Sequence, residues 1–317
     1  MSEQPTIQSP ESDLARGLAE FRQGRKTLLP EFELPTDDMP KEAEVEVSIE
    51  RLTVYNLEQI LKETNAEERL YDLDFIHLLV EDINDSLEEG RYSPSKASEA
   101  CWTISAIYSL GIKHPELTPE KLDPRRNDPD FLKQLTENIV DDYLEQGKTD
   151  PDNAYWACST ISAIYSLGIK HPELTPEKLG SRLNDPEFLE QLIEGLDEAF
   201  DLGKTYPNYA SQICEIISAI YSLGIKHPEL TPEKLEIHLN DPEFLKQLTK
   251  YINNSLKRGK KDSGHAVGVC ETLSAIQNII GHYSAIADEK EKAEVAHKFK
   301  TAADRIGVPP RPEVKAF

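Results

Sequence analysis

One string of nineteen residues occurs three times without a change, and it constrains the fold more than any other feature of the chain. Its copies begin at Ile104, Ile161 and Ile217 and end at a leucine before the next unit. A partial fourth copy begins at Leu273, where Leu-Ser-Ala-Ile remains but the His-Pro-Glu segment that follows in the other copies does not. A supersecondary unit that recurs at a fixed period is the sequence signature of a repeat protein.

Other residues keep the same phase, so the repeat is longer than the identical string. Each unit contains one phenylalanine, then one glycine, then one cysteine at equivalent positions: Phe75, Phe131, Phe188 and Phe244; Gly90, Gly147, Gly203 and Gly259; Cys101, Cys158, Cys214 and Cys270. The phase predicts four units at residues 71–127, 128–184, 185–240 and 241–297. The fourth unit is degenerate, as expected of a C-terminal cap.

Local patterns predict three helices in each complete unit. An Asp-Pro pair, such as Asp185-Pro186, supplies an N-cap and a proline at the first helical position, and apolar residues then recur every four. The glycine of each unit is expected to end this first helix in the left-handed conformation, and Gly168 to end the second in the same way. Thr175-Pro176 begins a short third helix. We therefore predict an all-α protein, with tandem three-helix repeats stacked as a short right-handed α-solenoid.

The segments outside the four units are predicted from composition. Residues 1–47 are acidic and rich in proline, which is typical of a disordered tail. Residues 48–70 carry apolar residues at helical spacing and are expected to form an N-terminal helical cap over the open end of the first unit. Residues 298–317 form a C-terminal tail, with an extended segment from Pro309 to Pro312.

Net charge and hydropathy limit the classes of partner. A formal net charge of −23 repels a phosphate backbone, so no nucleic acid is expected as a partner. There is no apolar run long enough to cross a bilayer and no signal-peptide pattern, so no membrane is expected and a cytoplasmic location is predicted. The identical strings indicate recent duplication, which is common in bacterial effectors, and delivery into a host cell by a specialised secretion system is a further hypothesis.

Neither cofactor nor metal is predicted. The cysteines recur one per unit, too far apart in stacked repeats for a disulfide, and are interpreted as small buried core residues. His114, His171 and His227 also form a row, which indicates turn chemistry in the His-Pro-Glu segments and not a converging metal site. The sequence contains none of the common motifs for hydrolase nucleophiles, zinc proteases, phosphate loops or dinucleotide binding, so no catalytic residue is assigned.

The most informative residues are aromatic ones that depart from the repeat. Trp102 aligns with Ser159, Glu215 and Glu271, and Trp156 aligns with Glu99, Gln212 and Gly268. Because these positions are mostly polar in the other units, both tryptophans are expected to face outward. Aromatic side chains exposed along an edge are favoured anchors in protein interfaces. The predicted protein-binding residues lie at or near the start of the second helix: Tyr92, Trp102, Tyr155, Trp156, Tyr206 and Tyr209.

These observations favour binding over catalysis. The leading hypothesis is a protein–protein interaction scaffold or adaptor whose partner is another protein with a basic surface, because the first three units are strongly acidic. One alternative is a structural or self-assembling protein that associates through its unlike ends. A second alternative is an enzyme with an unrecognised site, which a pocket lined by polar residues that break the repeat would support.

Overall fold

The computed structural model describes residues 48–306, and all regular structure in this part of the chain is helical. The predictions for the tail at residues 1–47 and for the segment from Pro309 to Pro312 fall outside the described residues. The helices are α1 (Ile49–Glu63), α2 (Ala66–Leu70), α3 (Leu73–Glu89), α4 (Pro94–Ser109), α5 (Pro119–Arg126), α6 (Pro129–Glu137), a π-helical turn (Asn138–Tyr143), α7 (Leu144–Gln146), α8 (Pro151–Leu167), α9 (Pro176–Leu183), α10 (Pro186–Gly203), α11 (Pro207–Leu223), α12 (Pro232–Leu239), α13 (Pro242–Arg258) and α14 (Ser263–Ile306).

Each of the first three units forms an outer helix, an inner helix and a short helix, in that order. The outer helices are α3, the continuous run from α6 to α7, α10 and α13; the inner helices are α4, α8, α11 and α14; the short helices are α5, α9 and α12. The outer helix begins at the predicted N-cap, where for example the Asp185 carboxylate accepts a hydrogen bond from the Glu187 backbone N–H. The fourth unit has no short helix of its own, because its inner helix continues without a break to Ile306.

Two sets of glycines have different roles. Gly111, Gly168 and Gly224 follow the inner helices with φ between 61° and 64°, which confirms the left-handed end predicted at Gly168. The prediction for the outer helices is wrong, since Gly90 has a right-handed φ of −62° and Gly203 lies within α10. A Cβ atom added to Gly90 would lie 2.8 Å from a ring carbon of Phe131. These glycines are therefore required for close approach of the next unit's phenylalanine.

The first and fourth units are in contact. A Cβ atom added to Gly259 would lie 2.7 Å from a ring carbon of Phe75, which repeats the relation between Gly90 and Phe131. Lys260 Nζ lies 2.5 Å from Asp72 Oδ2, just as Lys148 Nζ lies 3.4 Å from Asp185 Oδ2 at another junction. The junction between the fourth unit and the first therefore uses the same contacts as the junctions between units adjacent in sequence.

The inner helices show the same closure. Helix α4 packs on α8, α8 on α11, α11 on α14, and α14 packs back on α4. The all-helical class is confirmed, but the open right-handed solenoid is not. The four pairs of inner and outer helices form a closed cycle. In every unit, including the fourth, a glycine packs against the phenylalanine of the next outer helix, and a cation pairs with the aspartate at the start of that helix.

The segment at residues 48–70 supplies the short helix that the fourth unit lacks. Arg69 on α2 donates a hydrogen bond to Asn253 Oδ1 at 3.2 Å, and Arg125 on the short helix α5 makes the equivalent bond to Asn84 Oδ1 at 2.5 Å. Helix α1 packs along the extended helix α14, and Asn56 Nδ2 on α1 donates to Asn240 Oδ1 at 2.8 Å. The cap predicted over the first unit thus lies against the fourth unit as well.

The packing between inner and outer helices forms the core. All four cysteines are free and buried there, as predicted, and burial raises the pKa of the Cys101 thiol to about 12. The four phenylalanines that meet the glycines are almost completely buried. Between residues 48 and 306, no helix has both the length and the apolar character that a membrane span requires.

Candidate functional site

A cavity that is open to solvent lies on the axis between the four inner helices. It is lined by side chains from all four of these helices and has a volume of about 80 Å³. Its wall contains residues that depart from the repeat, because Trp102, Trp156, Glu215 and Glu271 all contribute to it. The repeat-breaking residues therefore converge on one site, although they come from four different units.

One side of the cavity is aromatic. The rings of Trp102 and Trp156 stack with centroids 5.0 Å apart and an angle of 21° between their planes. Tyr155 packs against Trp156 with a centroid distance of 4.3 Å. Trp102 Nε1 donates a hydrogen bond to Thr160 Oγ1 at 3.0 Å, so its indole N–H is satisfied inside the protein. These three rings, from α4 and α8, are called the aromatic wall below.

The other side of the cavity is acidic and consists of Glu215 on α11 and Glu271 on α14, called the acidic wall below. Tyr155 O–H donates to Glu215 Oε2 at 2.7 Å, which joins the two walls. Glu215 Oε1 lies 3.1 Å from Thr272 Oγ1, and Glu271 Oε1 lies 3.4 Å from Thr103 Oγ1. The last contact links the fourth unit to the first and belongs to the same cyclic pattern as the contact between Trp102 and Thr160.

The threonine contacts bear on the protonation of both glutamates. Thr272 Oγ1 also lies 2.8 Å from the Gly268 carbonyl oxygen, and Thr103 Oγ1 lies 3.0 Å from the Glu99 carbonyl oxygen. A hydroxyl has one proton, so it can donate to only one of its two oxygen neighbours. Because a backbone carbonyl competes for that proton, the hydrogen bond that each glutamate accepts from its threonine is weakened.

Burial acts in the same direction. It raises the pKa of Glu215 to about 7, against the lowering effect of the hydrogen bonds from Tyr155 and Thr272. The pKa of Glu271 is raised well above its usual value by burial and, next, by the negative charge of Glu215. The acidic wall therefore takes up protons at a pH where exposed glutamates are ionised.

Charged groups outside the acidic wall add to this effect. The charges of Glu99 and Asp82 also raise the pKa of Glu271. The one lysine near them, Lys96, forms an ion pair with Glu99 at 2.7 Å. The partners shown for Glu215 and Glu271 in the described part of the chain are hydroxyl groups and not cations.

A ring of serines lines the cavity beyond the two walls, one from each unit: Ser105, Ser162, Ser218 and Ser274. This ring is identical in all four units, unlike the walls. Asn278 Nδ2 donates to Ser218 Oγ at 3.2 Å, and Ser105 Oγ lies 2.5 Å from Ser166 Oγ. The axis is therefore polar along its length, which is unusual for the centre of a helical protein and suits hydrogen bonding to a small ligand or to water.

The predicted site residues fall into two groups. Trp102, Trp156 and Tyr155 come together at the cavity, where both tryptophans are half-buried and stack on each other. Tyr155 is buried, with 6% of its surface exposed. Tyr92, Tyr206 and Tyr209 remain exposed, at 75%, 54% and 38%, and none of them lines the cavity. The rings of Tyr206 and Tyr209 lie 6.3 Å apart.

Sequence reasoning missed Glu215 and Glu271 as site residues. They were visible as the residues aligned with Trp102, and their departure from the repeat was the signal that could have identified them. Within residues 48–306, no three His, Cys, Asp or Glu side chains are grouped so as to hold a metal ion. Comparisons with family models, with curated proteins and with solved structures found no match.

Proposed function

We propose that this protein is a binding protein whose principal site is the axial cavity. The observation that carries the proposal is the convergence of the repeat-breaking residues, since Trp102, Trp156, Glu215 and Glu271 line one space although four units contribute them. Random divergence of a repeat would place its changes on solvated surfaces. A cavity with an apolar wall and a few directed polar groups is the usual form of a small-molecule site.

A cavity-filling variant tests this proposal. Ser159 lies in the same layer as Trp102 and the acidic wall, so Ser159→Leu would occupy the cavity. Equilibrium dialysis of a metabolite mixture against the whole chain, followed by mass spectrometry, should reveal a retained small molecule that the variant does not retain. Ser181→Leu on the exposed side of α9 is the matched control and should retain it. Equal retention by Ser159→Leu would exclude the cavity as the binding site.

A protein partner is the second candidate, and the exposure of Tyr206 and Tyr209 favours it. Two neighbouring tyrosines at the start of an inner helix can anchor a partner with a basic surface, which the net charge of −23 would attract. Replacing both with serine should remove partners captured from a lysate, while Ser159→Leu should not. The proposal of self-assembly through unlike ends has less support, because those ends contact each other within one chain.

An acid–base enzyme is the remaining alternative, and the pKa of Glu215, raised to about 7 by burial, is the observation that favours it. A carboxyl group with such a pKa could exchange a proton with a bound substrate near neutral pH. Chemical conversion of the retained small molecule, lost in Glu215→Gln with binding preserved, would support catalysis. Release of the molecule unchanged would support binding alone.

A further inference from the structure

The two walls of the axial cavity differ in chemistry, and the difference restricts what can bind between them. The aromatic wall presents two stacked indole rings, and the acidic wall presents two carboxyl groups. An indole face attracts a cation that lies within about 6 Å of the ring centroid. Carboxylates attract the same charge. An anionic ligand would be repelled by the acidic wall, and a neutral ligand could form hydrogen bonds there but would gain no attraction between charges.

The acidic wall also lacks a cation of its own. Glu215 has a phenol and a threonine hydroxyl as its polar partners, and the polar partner of Glu271 is a threonine hydroxyl. Lys96, which interacts with Asp82 next to this region, is already paired with Glu99. Both glutamates are half-buried, and partial removal of a carboxylate from water favours either pairing with a cation or protonation. A ligand cation would supply the missing charge and let both groups ionise.

The volume of the cavity indicates how large a part of a ligand it can hold. One water molecule needs about 10–15 Å³ measured in the same way, so 80 Å³ corresponds to about five to eight waters. The serine ring adds hydroxyl groups that can accept or donate a hydrogen bond at the far end of the space. A small molecule with one charged head and one hydroxyl or short alkyl arm matches these dimensions.

We infer that the axial cavity binds a small organic cation of the alkylammonium class, with its charged nitrogen between Glu215 and Glu271 and its carbon atoms against Trp102 and Trp156. This inference rests on the proposed function and names the ligand class for the same site. Choline and butylamine represent the quaternary and the primary members of the class. The neutral molecule 3,3-dimethylbutan-1-ol has the shape of choline without its charge.

The protein contains its own reporter for this test. Trp102 and Trp156 are the two tryptophans of the chain, and both line the cavity, so intrinsic tryptophan emission reports on this site alone. The full chain is titrated with choline, butylamine and 3,3-dimethylbutan-1-ol, and the emission is followed. At least one of the two cations should change the emission at a concentration about tenfold or more below that required of the neutral molecule. The cation that acts at the lower concentration shows whether the nitrogen is quaternary or primary.

Variants separate the charge effect from a general effect on the fold. The double variant Glu215→Gln, Glu271→Gln should weaken cation binding by about tenfold or more and leave the response to the neutral molecule unchanged. Glu190→Gln, Glu198→Gln makes the same change of charge on the exposed face of α10 and should bind as the wild type does. Circular dichroism should give equal helicity for all three proteins.

The outcomes are distinguishable. Equal response to the cations and to 3,3-dimethylbutan-1-ol would overturn the cation inference and leave the cavity as a binding site for neutral molecules. Cation binding that survives the double glutamine variant would also overturn the inference. No change of emission with any of the three would overturn the inference, and the dialysis experiment with Ser159→Leu would then decide whether the cavity binds another class of small molecule.

Discussion

The two faces of each inner helix differ in how far the four units agree. The face toward the outer helices is apolar in every unit, and at one position it carries the same residue four times: Cys101, Cys158, Cys214 and Cys270. The face toward the axis carries four residue combinations, with aromatic rings on α4 and α8 and carboxyl groups on α11 and α14. The glycine and phenylalanine contacts that close the cycle are the same in all units, whereas the aromatic and acidic walls differ between units although the serine ring does not. Stability should therefore depend mainly on the outward face and ligand binding on the axial face.

The largest expected effect comes from removing a repeated aromatic side chain. Phe75→Ala should lower the free energy of unfolding by about 3–5 kcal/mol, as should Phe131→Ala, because each fills the contact with the glycine of a neighbouring unit. Urea denaturation measures both. In an open array Phe75 would lie at one end, so a much smaller loss for Phe75→Ala than for Phe131→Ala would contradict the closed cycle. Tyr92→Ala on the surface is the control and should change stability by about 0.5 kcal/mol or less.

The next effect comes from a single methyl group at the same contact. Gly259→Ala places a Cβ atom 2.7 Å from the Phe75 ring and should destabilise the protein by about 1–3 kcal/mol, as overpacking does. Gly180→Ala on the short helix α9 meets no atom within 4 Å and should stabilise the protein by about 0.5–1 kcal/mol. Thermal unfolding of both variants gives the comparison. A gain of stability for Gly259→Ala would mean that the fourth unit and the first do not approach this closely.

Replacing a carboxyl group at the axial face should raise the stability of the protein, whereas Phe75→Ala and Gly259→Ala lower it. The pKa of Glu215 is about 7 in the folded protein and near the usual 4.5 in the unfolded chain, so between these values the folded state binds more protons. Stability should then fall as the pH rises from about 4.5 to about 7. Glu215→Gln removes this loss and should stabilise the protein by up to about 3 kcal/mol at pH 8, and by little at pH 4.

Denaturation of wild type and Glu215→Gln at both pH values tests the sign. The other titratable groups that interact with the acidic wall stay in both proteins: Tyr155 on α8, Tyr251 on α13, Glu99 and Lys96 on α4, and Asp82 on α3. Glu198→Gln on the surface should show no such difference between the two pH values. A variant that loses stability at pH 8 would mean that the Glu215 carboxylate is stabilising.

The smallest expected effect concerns the exposed ion pairs between units. Lys260→Ala and Lys148→Ala should each lower the melting temperature slightly and by similar amounts, because Lys260 with Asp72 and Lys148 with Asp185 occupy equivalent places. High salt should reduce both losses. No loss for Lys260→Ala beside a measurable loss for Lys148→Ala would weaken the equivalence of the two junctions.

Much of the local structure could be predicted from the sequence, because its causes are local. The N-cap at Asp185 and the left-handed end at Gly168 depend on residues within one turn of the helix. The closure could not be predicted in the same way, since it joins residues separated by most of the chain, such as Lys260 and Asp72. A signal was nevertheless present, because Asp72 aligns with Asp128, Asp185 and Asp241, and Arg69 aligns with Arg125.

The site was predicted only in part, for a physical reason. Trp102 and Trp156 stand out in the sequence as departures from the repeat, but the polar residues aligned with them are also typical of a solvated face. In a closed cycle a polar face can also point inward, where Ser218 is only 6% exposed. A polar residue at one position of one unit does not show whether that position faces solvent or the axis. Differences between several units at the same aligned position indicate that these residues meet at a common site.

Closure also fixes how many units the protein can contain. An open array can gain or lose one unit by duplication or deletion, since each unit contacts only its sequence neighbours. Here an extra copy would separate Gly259 from Phe75 and leave α2 without the fourth unit's outer helix to cover. The identical strings favour recombination at the DNA level, which can change the number of units. Such a change would leave two apolar faces of this closed cycle without a partner, so the fold requires four units.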